Sequence, residues 1–356
     1  MSALDDLQQM KTLDTQDMYA CIHDFPEQMK AARDISDAWK VDNDEFVDVR
    51  NIVLAGMGGS AIGGDLLGSF LRDKLQIPFH VCRSYELPDY VDDESLVIVS
   101  SYSGNTEETL SMFNDALARS AMIICLTTGG KVAEIAEEED IVCGKIPGGL
   151  QPRAALAYSF IPLLGLFETL GFVSSSAPEL SETILSLQDT RKPLTRESVS
   201  DSNPAKALAG ICEGKIPLVY AGAGLLEPVV VRWRGQFSEN GKSLAYSNTF
   251  PEMNHNELVG WSHAASAQKD SLCVFLLQDE DDNPRVKLRM EHFAKLLTDN
   301  GVTVKEVASS GANRLARLFS LVQLGDFVSY YLSVLNDVDP TPVEAIENLK
   351  LELAQS

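Results

Sequence analysis

Residues 51–64, NIVLAGMGGSAIGG, place a short apolar run directly before a cluster of glycines. The run 51–55 has the length and the aliphatic composition of a buried strand. The glycines allow a tight turn, and residues 61–74 then follow a helical pattern. A strand that passes through a glycine turn into a helix is the first half of a βαβ unit. This stretch therefore predicts a parallel sheet covered by helices.

The same alternation of strands and helices continues along the chain. Further strand candidates are 79–83, 96–100, 122–127, 141–144, 216–221, 271–277 and 303–307, and a helical pattern covers 283–300. A break at 174–178 and a helical connector of mixed charge to about residue 209 separate these strands into two groups. This order predicts an α/β protein with doubly wound, flavodoxin-like parallel sheets.

The two halves of the chain also resemble each other. VLAGMGG at 53–59 corresponds to VYAGAGL at 219–225, and SLVIVSSYSGNTEETL at 95–110 corresponds to SLCVFLLQDEDDNPRVKL at 271–288. The spacing is far longer than that of a solenoid repeat, so two similar domains are expected rather than an array. The expected boundaries are a helical segment at 1–45, domains at 46–195 and 196–335, and a helical tail at 336–356.

Composition limits the classes of partner. The chain has 356 residues and a formal net charge of −23, which argues against a general nucleic-acid or anionic-membrane surface. The N-terminus has acids where a secretion signal would be basic and then apolar, and the apolar stretch 154–167 is shorter than a membrane span. The six cysteines contain no C-x-x-C pair. We expect a cytoplasmic protein with free thiols and a small-molecule ligand.

The glycine turn admits more than one function. Gly56, Gly58 and Ala61 fit the spacing of the dinucleotide-binding fingerprint. However, residues 80–84 read HVCRS, without the acid that a NAD site uses, although Arg83 and Ser84 would suit NADP. The glycines could also serve only to make a tight turn between strand and helix. All these alternatives remain open at the level of the sequence.

Residues 100–109, SSYSGNTEET, offer several hydroxyls where a second helix is expected to begin. The side chains of Ser101, Ser103 and Thr106 could converge with backbone N–H groups on a tetrahedral anion. A phosphate monoester fits such a set of neutral donors. The alternative is an ordinary helix cap formed by Ser103 or Asn105, although capping alone does not require so many hydroxyls.

These motifs, together with a third, resemble a known family. GMGGSAIGGD and SSYSGNTEET resemble the sugar isomerase domain, of which phosphoglucose isomerases contain two copies. RGQFSENGKSLAYSNTFPEMNHNELVGW, at 234–261, resembles the bifunctional phosphoglucose/phosphomannose isomerases more specifically. The resemblance extends from about residue 45 to the C-terminus. It implies that the sugar phosphate is held by Gly59, Ser60, Ser101, Ser103 and Thr106.

The resemblance also implies the chemical roles of four residues. Glu239 matches the base that moves a proton between C1 and C2, and His255 matches the residue that opens the sugar ring. Arg153, in LQPRAAL, matches the cation that stabilises the enediolate. Lys350, in DPTPVEAIENLKLEL, is the candidate for a lysine that assists ring opening. Without the resemblance, Glu239 would be interpreted as a surface charge beside a turn.

The function implied is aldose-ketose isomerisation of glucose 6-phosphate to fructose 6-phosphate, extended to mannose 6-phosphate, by a cis-enediolate mechanism. No cofactor or metal is expected, because this reaction needs neither, and the spacing of His255, Glu257 and His263 fits no known zinc pattern. The resemblance further implies a homodimer in which the partner subunit donates the histidine. Two alternatives from other classes are a non-catalytic sugar-phosphate-binding regulator and a nicotinamide-dependent oxidoreductase.

Overall fold

The computed structural model describes residues 3–353 and 355, which form two compact units. The sheet A unit contains residues 24–186 and 312–316. The sheet B unit contains residues 187–311, the chain from 317 onward and the N-terminal residues up to 23. Each unit has its own parallel sheet, which confirms the predicted α/β class with two doubly wound domains.

The sheet A unit is built on a five-stranded parallel sheet. Its strands are β1 (Asn51–Gly56), β2 (Phe79–Cys82), β3 (Ser95–Ser101), β4 (Met122–Thr127) and β5 (Cys143–Lys145). Its helices are α3 (Phe25–Asp37), α4 (Gly58–Leu71), α5 (Glu107–Ala118), α6 (Gly130–Glu138) and α7 (Leu156–Thr169). The strand order β2-β1-β3-β4-β5 is that of flavodoxin-like folds. Strand β3 is buried along its whole length, as expected for an inner strand covered on both faces.

The first helices of the chain are divided between the two units. Helices α1 (Leu7–Leu13) and α2 (Met18–His23) belong to the sheet B unit, whereas α3 packs along α7 in the sheet A unit. The two helices are in close contact at Gly165, where an added Cβ would lie 1.8 Å from Ser36 Oγ. A larger residue at this crossing would therefore separate the helices.

The sheet B unit repeats the pattern with one strand fewer. Its strands are β6 (Ile216–Gly222), β7 (Tyr246–Phe250), β8 (Leu272–Gln278) and β9 (Thr303–Ala308), all parallel and in the order β7-β6-β8-β9. Its helices include α9 (Pro204–Cys212), α10 (Glu227–Glu239), α11 (Glu257–Gln268), α12 (Pro284–Asp299) and α14 (Glu344–Leu353). Helices α8 (Ala177–Arg191) and α13 (Arg314–Leu335) contribute residues to both units.

Strand β7 is the element that the sequence analysis missed. It reads YSNTF, and most of its residues are at least partly exposed because it lies at an edge of sheet B. Its polar residues give neither the continuous apolar run of an inner strand nor a clear alternation. The other strands of both sheets agree with the predicted ranges to within about two residues, which is the usual uncertainty of element ends.

A buried ion pair fixes α10 against α13. The Arg232 guanidinium donates to both carboxylate oxygens of Asp326, at 3.1 and 2.6 Å, and Gln236 Nε2 donates to the same carboxylate at 2.8 Å. The Trp233 indole donates to the Leu321 carbonyl at 2.8 Å. Such fully hydrogen-bonded pairs determine one relative position of two helices. They therefore define where the last residue of α10, Glu239, is placed.

Among the described helices, α13 alone is both long and apolar enough to cross a bilayer. Most of it is buried inside the protein, as is typical of a core helix. The six cysteines are free, and four of them are buried, as the sequence analysis expected.

Near the start of α13, the Arg317 guanidinium forms ion pairs with three acidic residues of one loop. Its guanidinium donates to buried Asp279 at 2.9 Å and also binds Glu280 and Asp281. Burial by itself raises the pKa of Asp279, but hydrogen bonds from Ser309 and Arg317 outweigh it and bring the pKa below its ordinary value. The pair therefore contributes stability above the unfolded pKa of about 3.9, and this is lost as the pH falls through the lower folded value.

Arg317→Met is expected to destabilise the protein by about 3 kcal/mol at pH 7, because it leaves a buried carboxylate without its cation. The difference from the wild type should be smaller at pH 4, because Asp279 in the variant is buried without its cation and takes up a proton at a higher pH than the wild-type carboxyl does. Urea unfolding at pH 7 and pH 4 measures both values, with the exposed Arg285→Met as the control. An effect that grew as the pH fell would contradict the assignment.

Candidate active site

The carboxyl ends of β1 and β3 lie next to each other in the middle of sheet A. Residues Gly56 and Ser100 are register partners there, and the chain leaves the two strands into α4 and α5. In the order 2-1-3-4-5, this is the point where successive connections change direction, and it leaves a crevice between the two loops. Two helix N-termini beside such a crevice favour an anion.

A group of hydroxyls, called here the hydroxyl cluster, occupies these loops and consists of Ser60, Ser101 and Thr106. The Ser101 hydroxyl donates to Thr106 Oγ1 at 3.1 Å, and Ser60 Oγ accepts from the Tyr102 backbone N–H at 3.1 Å. Ser60 and Ser101 are buried. The structure thus brings together residues that are more than forty positions apart in the chain. Hydroxyl groups on these two adjacent loops can rotate to donate to a tetrahedral anion.

Ser103 has a different environment. It is exposed, and its hydroxyl accepts from the Asn105 backbone N–H at 3.2 Å. The alternative of a helix cap formed by Ser103 or Asn105 is wrong, because the N-cap residue of α5 is Thr106. The Thr106 side chain makes no capping hydrogen bond and is bonded to Ser101 instead. Capping therefore does not account for the hydroxyls of this loop.

The loop after β3 is held in shape from the neighbouring loop after β4. The Val132 backbone N–H donates to the Gly104 carbonyl at 3.0 Å, and the Lys131 N–H donates to Asn105 Oδ1 at 3.1 Å. Gly104 has a φ of 68°, and a Cβ there would lie 1.7 Å from the Gly129 carbonyl oxygen. Both the backbone conformation and the available space therefore require glycine.

Gly104→Ala is expected to displace this loop and to raise the inhibition constant of inorganic phosphate about 10-fold. This factor corresponds to a loss of about 1.4 kcal/mol in the free energy of binding. A competition assay measures the inhibition constant. Gly171→Ala is the matched control, because it also has a positive φ but no atom lies within 4 Å of its added Cβ. Unchanged phosphate inhibition in Gly104→Ala would exclude the loop from anion binding.

Arg153 is packed beside the same crevice. It lies in a short 3-10 helix, Pro152–Ala154, and only 4% of the residue is exposed. Gly59 allows the close approach, because an added Cβ would lie 2.5 Å from the Pro152 carbonyl and 3.3 Å from the Arg153 nitrogen. A buried guanidinium stays charged at all ordinary pH values. The backbone contact therefore brings a cation-bearing segment to the turn that contains Ser60.

The segment before Arg153 is connected to the hydroxyl loop through Tyr102. The Tyr102 hydroxyl donates to the Pro147 carbonyl at 3.1 Å and accepts from the Leu150 N–H at 3.0 Å. Arg83, which would have served an NADP site, is instead paired with Asp65. This pairing makes the guanidinium less available to a 2′-phosphate.

The corresponding strand ends of sheet B carry acids instead of hydroxyls. At the end of β6, a Cβ on Gly222 would lie 2.7 Å from an Asp282 carboxylate oxygen. Burial raises the pKa of Asp282 above its ordinary value, and Asp279 lies in the same loop. Carboxylates at this position disfavour a phosphate. Of the two related strand ends, the one in sheet A is therefore the more favourable for an anion.

Glu239 is the last residue of α10 and is partly exposed. It lines a cavity of about 520 Å³ in the sheet B unit, whose other lining residues are Ser238, Lys242, Val338, Asp339, Pro342, Val343, Glu344, Ala345 and Ile346. Behind it, Asn240 Nδ2 donates to the buried Ser329 hydroxyl at 3.0 Å. The carboxylate thus lies at an open cavity, on a helix end fixed by buried contacts.

His255 ends a short 3-10 helix, Glu252–His255, and is exposed. The residue two positions later, Glu257, accepts hydrogen bonds from Tyr220, from Trp261 Nε1 at 2.9 Å and from Asn248 Nδ2 at 2.7 Å. Burial of the Tyr220 hydroxyl raises its pKa above the usual range, and the negative charge of the nearby Glu257 carboxylate raises this pKa further. The sequence analysis considered Glu257 only as a metal ligand. Its spacing after His255 gave no signal of this anchoring role.

Lys350 lies in α14 and is exposed, as are all residues of that helix between 344 and 353. It is not among the residues that line the cavity at Glu239, and neither is His255. Among the described residues, no group of three or more histidine, cysteine or acidic side chains is arranged to hold a metal ion. The structure therefore places Gly59, Ser60, Ser101, Ser103 and Thr106 in one unit and Glu239, His255 and Lys350 in the other, where only Glu239 of the three lines the described cavity.

Comparison with known proteins extends these observations. Residues 201–353 match the family described as bacterial phospho-glucose isomerase C-terminal SIS domain, and residues 45–146 match the SIS domain. A bifunctional phosphoglucose/phosphomannose isomerase of Caldicellulosiruptor bescii is 46% identical over 95% of this chain and 99% of its own. A protein of the same description from Aquifex aeolicus is 38% identical, over 88% and 94% of the two chains. A solved hypothetical protein from Thermus thermophilus has a TM-score of 0.74 at 16% identity, covering 98% of this chain and 91% of its own, and so supports the fold alone.

Proposed function

This chain belongs to the bifunctional phosphoglucose/phosphomannose isomerase family and is a hexose-phosphate isomerase, and from this premise we propose that it interconverts glucose 6-phosphate and fructose 6-phosphate and also uses mannose 6-phosphate. The resemblance found in its motifs is confirmed by relatives that match nearly the whole chain. The hydroxyl cluster at the strand ends of sheet A is the structural observation that carries the proposal, because a site of neutral donors suits a phosphate monoester.

We assign the phosphate to Gly59, Ser60, Ser101, Ser103 and Thr106. The hydrogen bond between Ser101 and Thr106, and the bond from the Tyr102 N–H to Ser60 that joins the two loops, support this assignment. The position of Gly59 against the Arg153 segment supports a cation beside the same site. Neutral hydroxyls also let an acidic protein bind an anion with only local positive charge.

In the proposed reaction, the sugar ring opens first. His255, assisted by Lys350, takes the proton from the ring hydroxyl at C1 and returns a proton to the ring oxygen, which leaves an open-chain aldose. The exposed position of both residues leaves them accessible to a substrate. The step balances without a cofactor, because the O1–H bond and the bond between C1 and the ring oxygen break while the C1 carbonyl and a new O–H bond on the former ring oxygen form.

Glu239 then moves the proton between carbons. Its carboxylate removes the proton from C2 of the aldose, giving a cis-enediolate, and delivers it to C1 as the carbonyl forms at C2. The hydroxyl proton on O2 moves to O1 in the same overall exchange. The Arg153 guanidinium stabilises the negative charge of the enediolate. Epimers at C2 lead to the same enediolate, so one base serves both aldose phosphates if it can reach either face.

The proposal extends to the assembly and the compartment. We propose a cytoplasmic homodimer in which His255 acts on the substrate of the partner subunit. Support comes from the exposure of His255 and its absence from the cavity that Glu239 lines in its own chain. Size exclusion combined with activity measurement tests this assembly, and an active monomer at assay concentration would contradict it.

The decisive experiment measures fructose 6-phosphate formed separately from glucose 6-phosphate and from mannose 6-phosphate, with EDTA present. We expect product from both substrates and no effect of the chelator. Binding of both sugar phosphates without turnover would favour a regulator. Strong inhibition by EDTA that zinc reverses would favour a metal-dependent mannose phosphate isomerase.

A further inference from the structure

Lys242 connects the end of α10 to the chain that enters the terminal helix. Its ammonium group donates to the Glu239 carbonyl, to the Pro340 carbonyl at 3.0 Å and to the Pro342 carbonyl at 2.6 Å. The Glu239 carbonyl lies at the C-terminus of α10, where a positive charge is favourable. One ammonium group thus binds two separate segments of the sheet B unit.

The second segment, called here the C-terminal junction, comprises residues 339–343. Within it, Thr341 is 2% exposed, and its N–H donates to Asp339 Oδ1 at 2.9 Å. Helix α14 begins at Glu344, and each of its residues up to Leu353 is exposed. A helix with no buried face depends on its attachment point for its position. The position of α14 is therefore set at the junction that Lys242 binds.

The attachment made by Lys242 affects the shape of the cavity that Glu239 lines. The junction residues Pro342 and Val343 and the first turn of α14 form one side of the cavity, and Glu239 lines the same cavity. A displacement of the junction therefore changes the space in front of the proposed base. Small errors in the placement of reacting groups are costly, because about 1 Å can reduce the rate by about 10²-fold.

The backbone at position 242 has a conformation that is unfavourable for any residue other than glycine. Lys242 has a φ of 51°, in the left-handed region that residues other than glycine seldom adopt. Its neighbour Gly241 is closely packed, since an added Cβ would lie 2.8 Å from the Phe237 carbonyl. Asn336 Nδ2 also donates to the Gly241 carbonyl at 2.7 Å. The turn is thus fixed on both sides, with the lysine directed to the junction carbonyls.

We propose that Lys242 is a positioning residue for the isomerase reaction, which fixes the C-terminal junction and α14 relative to Glu239. This inference rests on the proposed function of Glu239. Lys242 acts through the carbonyl groups that it binds and is not itself assigned a proton transfer. Its side chain is exposed, so its removal should allow water to reach the freed carbonyls and should cost little stability.

The test is Lys242→Met, which keeps much of the length of the side chain but removes its donors. We expect kcat to fall about 10-fold, as partial misplacement would cause, while the inhibition constant of inorganic phosphate stays within about 2-fold. Hydrogen exchange of the amides in 344–353 should become faster, because the helix loses its attachment. Lys242→Arg keeps the charge and several donors and should recover part of the lost kcat.

The matched control is Lys295→Met, which removes an exposed lysine paired with Asp299 at 2.7 Å in the same unit. It should change neither kcat nor the exchange of α14. The inference is overturned if Lys242→Met keeps its kcat, or if its α14 amides exchange as in the wild type. Failure of the wild type to isomerise either aldose phosphate would instead remove the proposed function, while the exchange measurement would still decide whether Lys242 holds α14.

Discussion

Glu239→Gln is expected to lower kcat by about 10²-fold or more, because the amide cannot accept the proton from C2 as a carboxylate does. Binding should change little, since the hydroxyl cluster that is assigned to the phosphate lies on other elements. The measurement compares kcat with the inhibition constant of a linear, non-isomerisable sugar-phosphate analogue. A loss confined to kcat is the signature of a group that acts in the transition state.

The control for this variant is Glu227→Gln, at the opposite end of the same helix and exposed to solvent. It makes the same chemical change away from the cavity and should keep normal turnover. Exchange of the C2 proton with solvent deuterium gives a second readout and should slow in parallel with kcat. Normal turnover in Glu239→Gln would remove this residue from the role of base.

Arg153→Gln is expected to reduce kcat by about 10²-fold, the loss typical of removing one stabilising group from an anionic transition state. The residue is buried beside the turn that contains Gly59 and Ser60, so a shorter neutral side chain also leaves space there. Thermal unfolding must therefore accompany the kinetics. The ratio of kcat between the variant and the wild type should be measured well below the melting temperature of the variant.

Two further variants separate charge from packing at this position. Arg153→Lys keeps the charge and should retain more activity than Arg153→Gln. Arg119→Gln removes a partly buried arginine of the same unit that binds Asp115 and the carbonyls of Leu87 and Pro88, and it should affect stability without affecting kcat selectively. Equal turnover in Arg153→Gln and the wild type would leave Arg153 with a structural role only.

The two related units carry different side chains after corresponding strands. In sheet A, the end of β3 continues into residues with hydroxyl side chains, whereas in sheet B the end of β8 continues into the acids Asp279 and Asp282. The sheets share their strand order up to the fourth strand. Ligand choice therefore depends on the side chains after the strands, since the backbone provides similar helix N-termini in both units.

Several features of this protein could be read from the sequence alone because they depend on neighbours along the chain. The apolar runs of β1, β3 and β4 predicted strands buried on both faces, and the glycines at 56–59 predicted the turn into α4. The motif at 100–109 predicted a group of hydroxyls beside a helix start. Periodicity and turn chemistry are local, so a single sequence contains them.

Other features were decided only by tertiary structure, because they depend on contacts between distant segments. The edge strand β7 is stabilised by pairing with β6, although its own residues are mostly polar. The meeting of Ser60 with Tyr102 follows from the order of strands in sheet A. The hydrogen bonds from Lys242 to the Pro340 and Pro342 carbonyls join segments about a hundred residues apart. Local pattern determined the apolar inner strands and the loop motifs of this chain. Long-range packing decided the edge strand β7 and which side chains lie together, because strand order and helix contacts bring together residues that no sequence spacing relates.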